Sequence, residues 1–222
     1  MELKIHKEGK IYFFISLLLS IVIFSFFQII GIFFFIISIY IFYFFRDPSR
    51  SIPIEDFIIS PADGIVTYIG NSTAPKELEI SEEFIKVSIF LSIFNVHVNR
   101  IPTSGIIKKI KYISGKFINA SLDKSSNDNE RNIILIEKEN KDLIIITQIA
   151  GLIARRIVCN INENQNVIKG NRFGIIKFGS RVDIYMPSIY KPLISVGQTV
   201  IGGETIIANP NNIDHLRTSI KN

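Results

Sequence analysis

From Ile11 to Phe45 the chain carries no charged residue. The run is almost entirely Ile, Leu, Val and Phe, interrupted by a few Ser and Tyr, by Gln28 and by Gly31. As one straight helix it would be about 52 Å long, at roughly 1.5 Å per residue. A bilayer core is only about 30 Å thick and is crossed by about 20 residues. One span therefore fits poorly, and two short helices of about 17 residues fit better. The break is expected near Gln28–Gly31. Lys4, Lys7 and Lys10 precede the run, and Arg46 and Arg50 follow it. Basic residues on both flanks put both ends of such a hairpin on the cytoplasmic side. A cleaved signal peptide is disfavoured, because the run is too long and no small-residue cleavage site follows. A buried core helix and a shallow re-entrant insertion are the alternatives.

This segment accounts for much of the apolar character of the chain: 47% of its 222 residues are hydrophobic and the mean hydropathy is +0.32. What remains is enough for one globular domain with a core. The net charge of +5 suits an anionic membrane surface, and nucleic acid is not an expected partner. The single cysteine, Cys159, excludes an intrachain disulfide and fits a reducing compartment. Three histidines, His6, His97 and His215, argue against a histidine-built zinc site; no metal is expected.

Arg46–Arg50 reads as a short polar linker, with Pro48 and Pro53 opposing a continuous helix. Beyond it, short β-branched runs alternate with turn residues. They are Gly64–Ile69, Ile85–Leu91, Gly105–Ile113, Asn132–Ile136, Leu143–Ile149, Ile175–Phe178, Val182–Met186 and Val200–Ala208. Asn140-Lys141 reads as a hairpin turn, Ser121–Arg131 as a polar loop, and Leu152–Cys159 as either helix or strand. The fold class expected is mainly β, a strand-dominated α+β domain (47–222) behind a hydrophobic helical hairpin (1–46).

Three places carry candidate chemistry. Gly179-Ser180 lies between two strand-like runs; it is either a tight bend or a site where Ser180 attacks the carbonyl of Gly179. Asp63-Gly64, just before a strand, is either an ordinary turn or a carboxylate placed to orient an imidazole. His97 is the one histidine between the apolar segment and the C-terminal tail, so a domain that needs a histidine base would use it. Arg100, Arg155, Arg156, Arg172 and Arg181 are solvated charges or lipid-phosphate ligands. The Val196–Ile206 glycine rhythm also occurs in biotinyl and lipoyl carrier domains, but no Met-Lys-Met or Asp-Lys-Ala turn is present.

An ordered set of motifs resembles the phosphatidylserine decarboxylase family, in its short, archaeal-like, membrane-associated branch. They are Phe45-Arg46-Asp47-Pro48, Ser60-Pro61-Ala62-Asp63-Gly64 and Asn95-Val96-His97-Val98-Asn99-Arg100. Asn129-Glu130-Arg131-Asn132, Gln148-Ile149-Ala150-Gly151 with Arg155-Arg156, and Phe173–Ser180 follow. The resemblance covers nearly the whole chain. It implies a proenzyme that cleaves itself between Gly179 and Ser180 into a large chain (1–179) and a small one (180–222). Ser180 becomes a covalent pyruvoyl group, His97 acts as base, and Asp63 orients His97. Through a Schiff base on that group, phosphatidylserine is decarboxylated to phosphatidylethanolamine. The implied partners are the lipid substrate, membrane lipid and the two chains of one precursor, with a homo-oligomer as an alternative to a monomer. The implied location is the inner membrane, with the catalytic domain on the cytoplasmic face. Arg100 stands where longer members carry a second histidine. The competing readings are a membrane-anchored serine protease, which lacks its Ser-Met-x-Pro-like motif here, and a non-enzymatic, membrane-tethered carrier-like β-module.

Overall fold

The computed structural model describes residues 3–115, 128–151, 156–177 and 179–210. Strand β1 (Leu3–Ile5) leads into α1 (Lys7–Phe26), α2 (Gln28–Phe44) and β2 (Arg46–Pro48). The break between the helices falls at Phe27, whose φ of −138° and ψ of 88° leave the helical region. Gly31 lets the helices meet just past the turn, since a Cβ there would lie 2.4 Å from the Phe24 Cα. Residues 46–48, expected as part of a linker, form an antiparallel pair with β1, with Lys4 opposite Asp47. His6 N–H also donates to the Phe45 carbonyl at 2.8 Å. The two ends of the hairpin are therefore tied together and emerge on the same side. By length and composition α1 could cross a membrane, and α2 is shorter but more apolar. Their outer faces are bare: Phe14, Leu18, Phe26 and Ile29 are all exposed.

The remaining chain is strand-dominated. Its strands are β3 (Ile58–Ile59), β4 (Gly64–Thr73), β5 (Glu83–Leu91), β6 (Val98–Arg100), β7 (Gly105–Ile113), β8 (Arg131–Glu137) and β9 (Leu143–Ala150). They continue with β10 (Ile157–Cys159), β11 (Asn166–Val167), β12 (Arg172–Ile176), β13 (Ser180–Pro187), β14 (Lys191–Pro192), β15 (Thr199–Val200) and β16 (Ile206–Asn209). The large antiparallel sheet has the order β11-β7-β8-β9-β13-β5-β4-β15. Bulges in β4 at Val66/Tyr68 and in β7 at Ile107/Lys109 bend it. Two three-stranded sheets, β10-β12-β6 and β14-β16-β3, complete the fold.

Strand β13 is central, paired with β5 on one side and β9 on the other. Its alternation explains that place. Val182, Ile184 and Met186 enter the main core with Val87, Ile89 and Ile146. Tyr185, on the other face, joins Phe84, Ile133 and Ile145 in a second cluster. The expected strand Val200–Ala208 is in fact two, because Glu204 and Thr205 N–H turn back onto the Ile201 carbonyl. Residues 157–159 settle as strand. Residues 152–155 and most of the expected 121–131 loop lie outside the described residues, while Arg131 opens β8. Lys141 takes a left-handed φ of 70° in the turn between β8 and β9, as the turn reading requires.

Truncating Ile184, fully buried at the middle of β13, to Ala should destabilise the fold by about 2–5 kcal/mol. Urea unfolding in detergent micelles measures it.

Candidate active site

The foot of the hairpin and the β-region share one apolar cluster: Phe44 and Phe45 pack with Val96, Val98 and Ile175. The His97 ring is completely buried in this neighbourhood, its centroid 4.3 Å from that of Phe44. Nδ1 of His97 lies 2.9 Å from the Asn95 carbonyl. A carbonyl only accepts, so Nδ1 carries the proton in the neutral ring and Nε2 keeps its lone pair. Nε2 has no hydrogen-bond partner among the described residues. Burial pulls the His97 pKa down to about 4, against a small upward pull from the Asn95 bond, and Arg46 lowers it further. At neutral pH the ring is therefore an uncharged base.

Ser180 opens β13, opposite Leu91 and Ala150. Its hydroxyl is fully buried and is also without a hydrogen-bond partner among the described residues. Gly179 before it has φ +48°, a left-handed conformation that side chains resist, although a Cβ there would meet nothing within 4 Å. Backbone conformation, rather than space, calls for glycine. The preceding strand β12 belongs to the small sheet with β6, where Ile175 faces Val98 and Ile176 N–H donates to the His97 carbonyl at 3.3 Å. The Gly179–Ser180 bond thus lies on the crossing from the sheet next to His97 into the large sheet. His97 Nε2 and Ser180 Oγ do not bond each other in this geometry.

Asp63 is not hydrogen-bonded to His97. Its carboxylate accepts two bonds from Arg50 Nη2, at 2.8 and 3.1 Å, and one from Gly202 N–H at 2.8 Å. Burial raises its pKa above the ordinary carboxylate value despite those partners. Asp63 ties the segment after the hairpin to the turn between β15 and β16. The orienting group on the ring is instead the Asn95 carbonyl, a backbone contact that no residue type announces.

The arginines sort differently from a lipid-facing set. Arg100 is buried and donates to the Pro48 carbonyl at 2.8 Å and the Gly170 carbonyl at 3.0 Å. Asp47 bridges Arg100 at 3.4 Å and Arg172 at 2.6 Å. Arg181 and Lys86 share the wholly buried Asp183. Arg156 is exposed, and Arg155, Phe178 and His215 lie outside the described residues. Asn132 Nδ2 donates to Gln148 Oε1 at 3.0 Å, and Gln148 Nε2 donates to Asn99 Oδ1 at 2.8 Å. That buried chain, whose members all lie in the sequence motifs, fixes the two sheets relative to each other. A cavity of about 490 Å³ lined by Lys86, Arg131, Thr147 and Asp183 opens on the other face of β13 from Ser180.

Fold and site describe a mainly β enzyme with an N-terminal apolar helical hairpin. Residues 37–208 match the family model for phosphatidylserine decarboxylase. A phosphatidylserine decarboxylase proenzyme of Rickettsia typhi is 52% identical over 207 residues, covering 92% of this chain and 90% of the relative. One of Ehrlichia ruminantium (strain Welgevonden) is 53% identical over 219 residues, covering 98% and 96%. The chain belongs to the phosphatidylserine decarboxylase family.

The low His97 pKa has a consequence for stability. Between about 4 and 6.5 the unfolded chain binds a proton that the folded one refuses, so the stabilisation present above pH 6.5 is lost as pH falls. The loss by pH 4 should be about 3 kcal/mol. Urea unfolding at pH 7 and pH 4 should show it, and a His97→Phe variant should lack that share of the difference.

Proposed function

We propose that the chain is a proenzyme that cuts itself between Gly179 and Ser180 and then decarboxylates phosphatidylserine to phosphatidylethanolamine at a membrane surface. The observation that carries this reading is the buried, unpartnered Ser180 hydroxyl behind a left-handed Gly179. A buried hydroxyl normally finds a partner, and one left without is available as a nucleophile.

In the first reaction Ser180 Oγ attacks the Gly179 carbonyl while His97 Nε2 takes the hydroxyl proton. The C–N bond breaks, an ester joins Gly179 to Oγ, and the freed amine of Ser180 receives a proton. Loss of the Cα proton then breaks the Cβ–Oγ bond. Gly179 leaves as a carboxylate, closing chain 1–179, and residue 180 becomes dehydroalanine. Water replaces its nitrogen, which departs as ammonia, and a pyruvoyl group heads chain 180–222. Asp63 enters as a positioning residue, through Arg50 and Gly202.

The residues present fit this group. Its carbon skeleton is that of Ser180 itself, in a dry position, and His97, whose carbonyl is bonded by Ile176 at the end of β12, holds a neutral imidazole able to take or return a proton. The group supplies a carbonyl that captures the substrate amine and accepts the electron pair released as CO2 leaves. The hairpin (1–46) serves as the anchor of the catalytic region (47–222), with both its ends at the inner, cytoplasmic face as the flanking lysines and arginines suggest. Keeping the site at the bilayer avoids drawing acyl chains into water, at about 0.8 kcal/mol per CH2.

Mass spectrometry of the purified protein should find two chains, the smaller beginning at residue 180 with a blocked N-terminus. Ser180→Ala should stay as one chain without decarboxylase activity. A wild-type protein that remains a single 25.3 kDa chain and yet is active would overturn the self-cleavage reading. Deleting residues 1–45 should release the protein from membranes in a flotation assay; continued tight binding would assign the anchoring elsewhere.

A further inference from the structure

We propose that Glu8 and Lys177 form a positioning clamp by which the seated helical hairpin aligns the Gly179–Ser180 bond for self-cleavage. The proposal rests on the self-cleavage reading and adds a requirement to it: the hairpin's first turn takes part in arranging the bond.

The geometry begins with the crossing between sheets. β12 ends at Ile176 and β13 begins at Ser180. Lys177 N–H donates to the Arg156 carbonyl at 3.2 Å, so this residue still belongs to the small-sheet side. Three residues later, at Ser180, the chain is in the large sheet. The orientation of the Gly179 carbonyl therefore depends on where Lys177 is held.

A lysine between isoleucine and phenylalanine reads in sequence as a solvated charge. Here its side chain is only 10% exposed. Nζ donates to Glu8 Oε2 at 3.0 Å and stands 5.3 Å from the centre of the Tyr12 ring. Both partners belong to the start of α1, and Glu8 lies 169 residues away in sequence. That first turn is itself fixed. Glu8 N–H donates to His6 Nδ1 at 3.3 Å, and Lys7 Nζ reaches Asn160 Oδ1 at 3.1 Å, just past β10. Gly9 lies so close to Phe45 that a Cβ would come within 2.3 Å. The first turn of α1 thus holds the small sheet by two polar ties, one at the end of β12 and one beside β10.

The pair is half-buried, so removing one member leaves the other charge poorly solvated and free to pull Lys177 away. A displacement of about 1 Å at a reacting bond can cost on the order of a hundredfold in rate. This is a positioning role, because neither side chain touches the reacting atoms.

The test uses the full chain made by cell-free synthesis in the presence of phospholipid vesicles, with conversion to two chains followed on gels. Glu8→Gln and Lys177→Met keep shape and remove charge; each should slow cleavage by about tenfold or more. Lys177→Arg should cleave nearly as fast as the wild type. The exchanged pair Glu8→Lys with Lys177→Glu should cleave faster than either charge reversal alone. Unfolding midpoints of the same variants, taken in a Ser180→Ala background, should fall for the single changes, which leave a charge unpaired, while each chain stays folded under the assay conditions. Single variants that cleave at the wild-type rate would overturn the clamp, as would an exchanged pair no faster than the single reversals. So would slow cleavage that the fraction of unfolded chain under the assay conditions fully accounts for. A wild-type chain that never cleaves would instead sink the self-cleavage reading.

Discussion

The apolar cluster at the foot of the hairpin is the contact on which the arrangement depends. Phe44 and Phe45 close the apolar hairpin, and Val96, Val98 and Ile175 belong to the strands and loop that carry His97 and lead to Ser180. Burying this surface removes a wall of aromatic and branched side chains from water, at about 25 cal/mol for each Å². It also dries the imidazole. The same packing that joins hairpin to sheet thus makes His97 a neutral base, so the seating of the hairpin and the acid–base character of the ring have one physical origin.

Around that cluster the polar residues act mainly as ties. Asp47 gathers Arg100 and Arg172, Asp63 joins Arg50 to Gly202, and the Asn132–Gln148–Asn99 chain links the sheets. Half-buried charges persist only with partners, since an unpaired one costs several kcal/mol. Among the described residues, His97 Nε2 and Ser180 Oγ are buried without a partner, as are Asn99 Nδ2 and the hydroxyls of Thr103 and Thr147, and of these Ser180 alone follows a left-handed glycine. Ser180 is placed by two neighbours, β5 and β9, while the residue before it takes a left-handed φ.

Much of the fold was legible in the residues. Strict alternation in Val182–Met186 and the long β-branched runs at Gly105–Ile113 and Leu143–Ile149 mark strands, because period-two patterning survives any tertiary context that buries one face. The hairpin was legible from length alone, although its break fell at Phe27, just before the polar Gln28 that suggested it. The pairing of Arg46–Pro48 with Leu3–Ile5 was not, since it depends on a partner strand 43 residues away whose own three residues carry little signal. Of the candidate site, Gly179, Ser180 and His97 were visible as residue types. The Asn95 carbonyl was not, because every residue has one. The contact of Asp63 with Arg50 rather than His97 was hidden too, since a carboxylate is equally suited to an imidazole or a guanidinium.

The sequence by itself determined that this chain has an apolar helical hairpin, a β-rich region behind it, and the motif set of the phosphatidylserine decarboxylase family. Those properties are local: hydropathy, periodicity and residue identity are all written along the chain. Only the tertiary structure decided which polar groups are satisfied and which are left free, and that Glu8 at one end of the chain meets Lys177 beside the Gly179–Ser180 bond. Burial and long-range pairing are properties of the packed molecule, and no window of residues contains them.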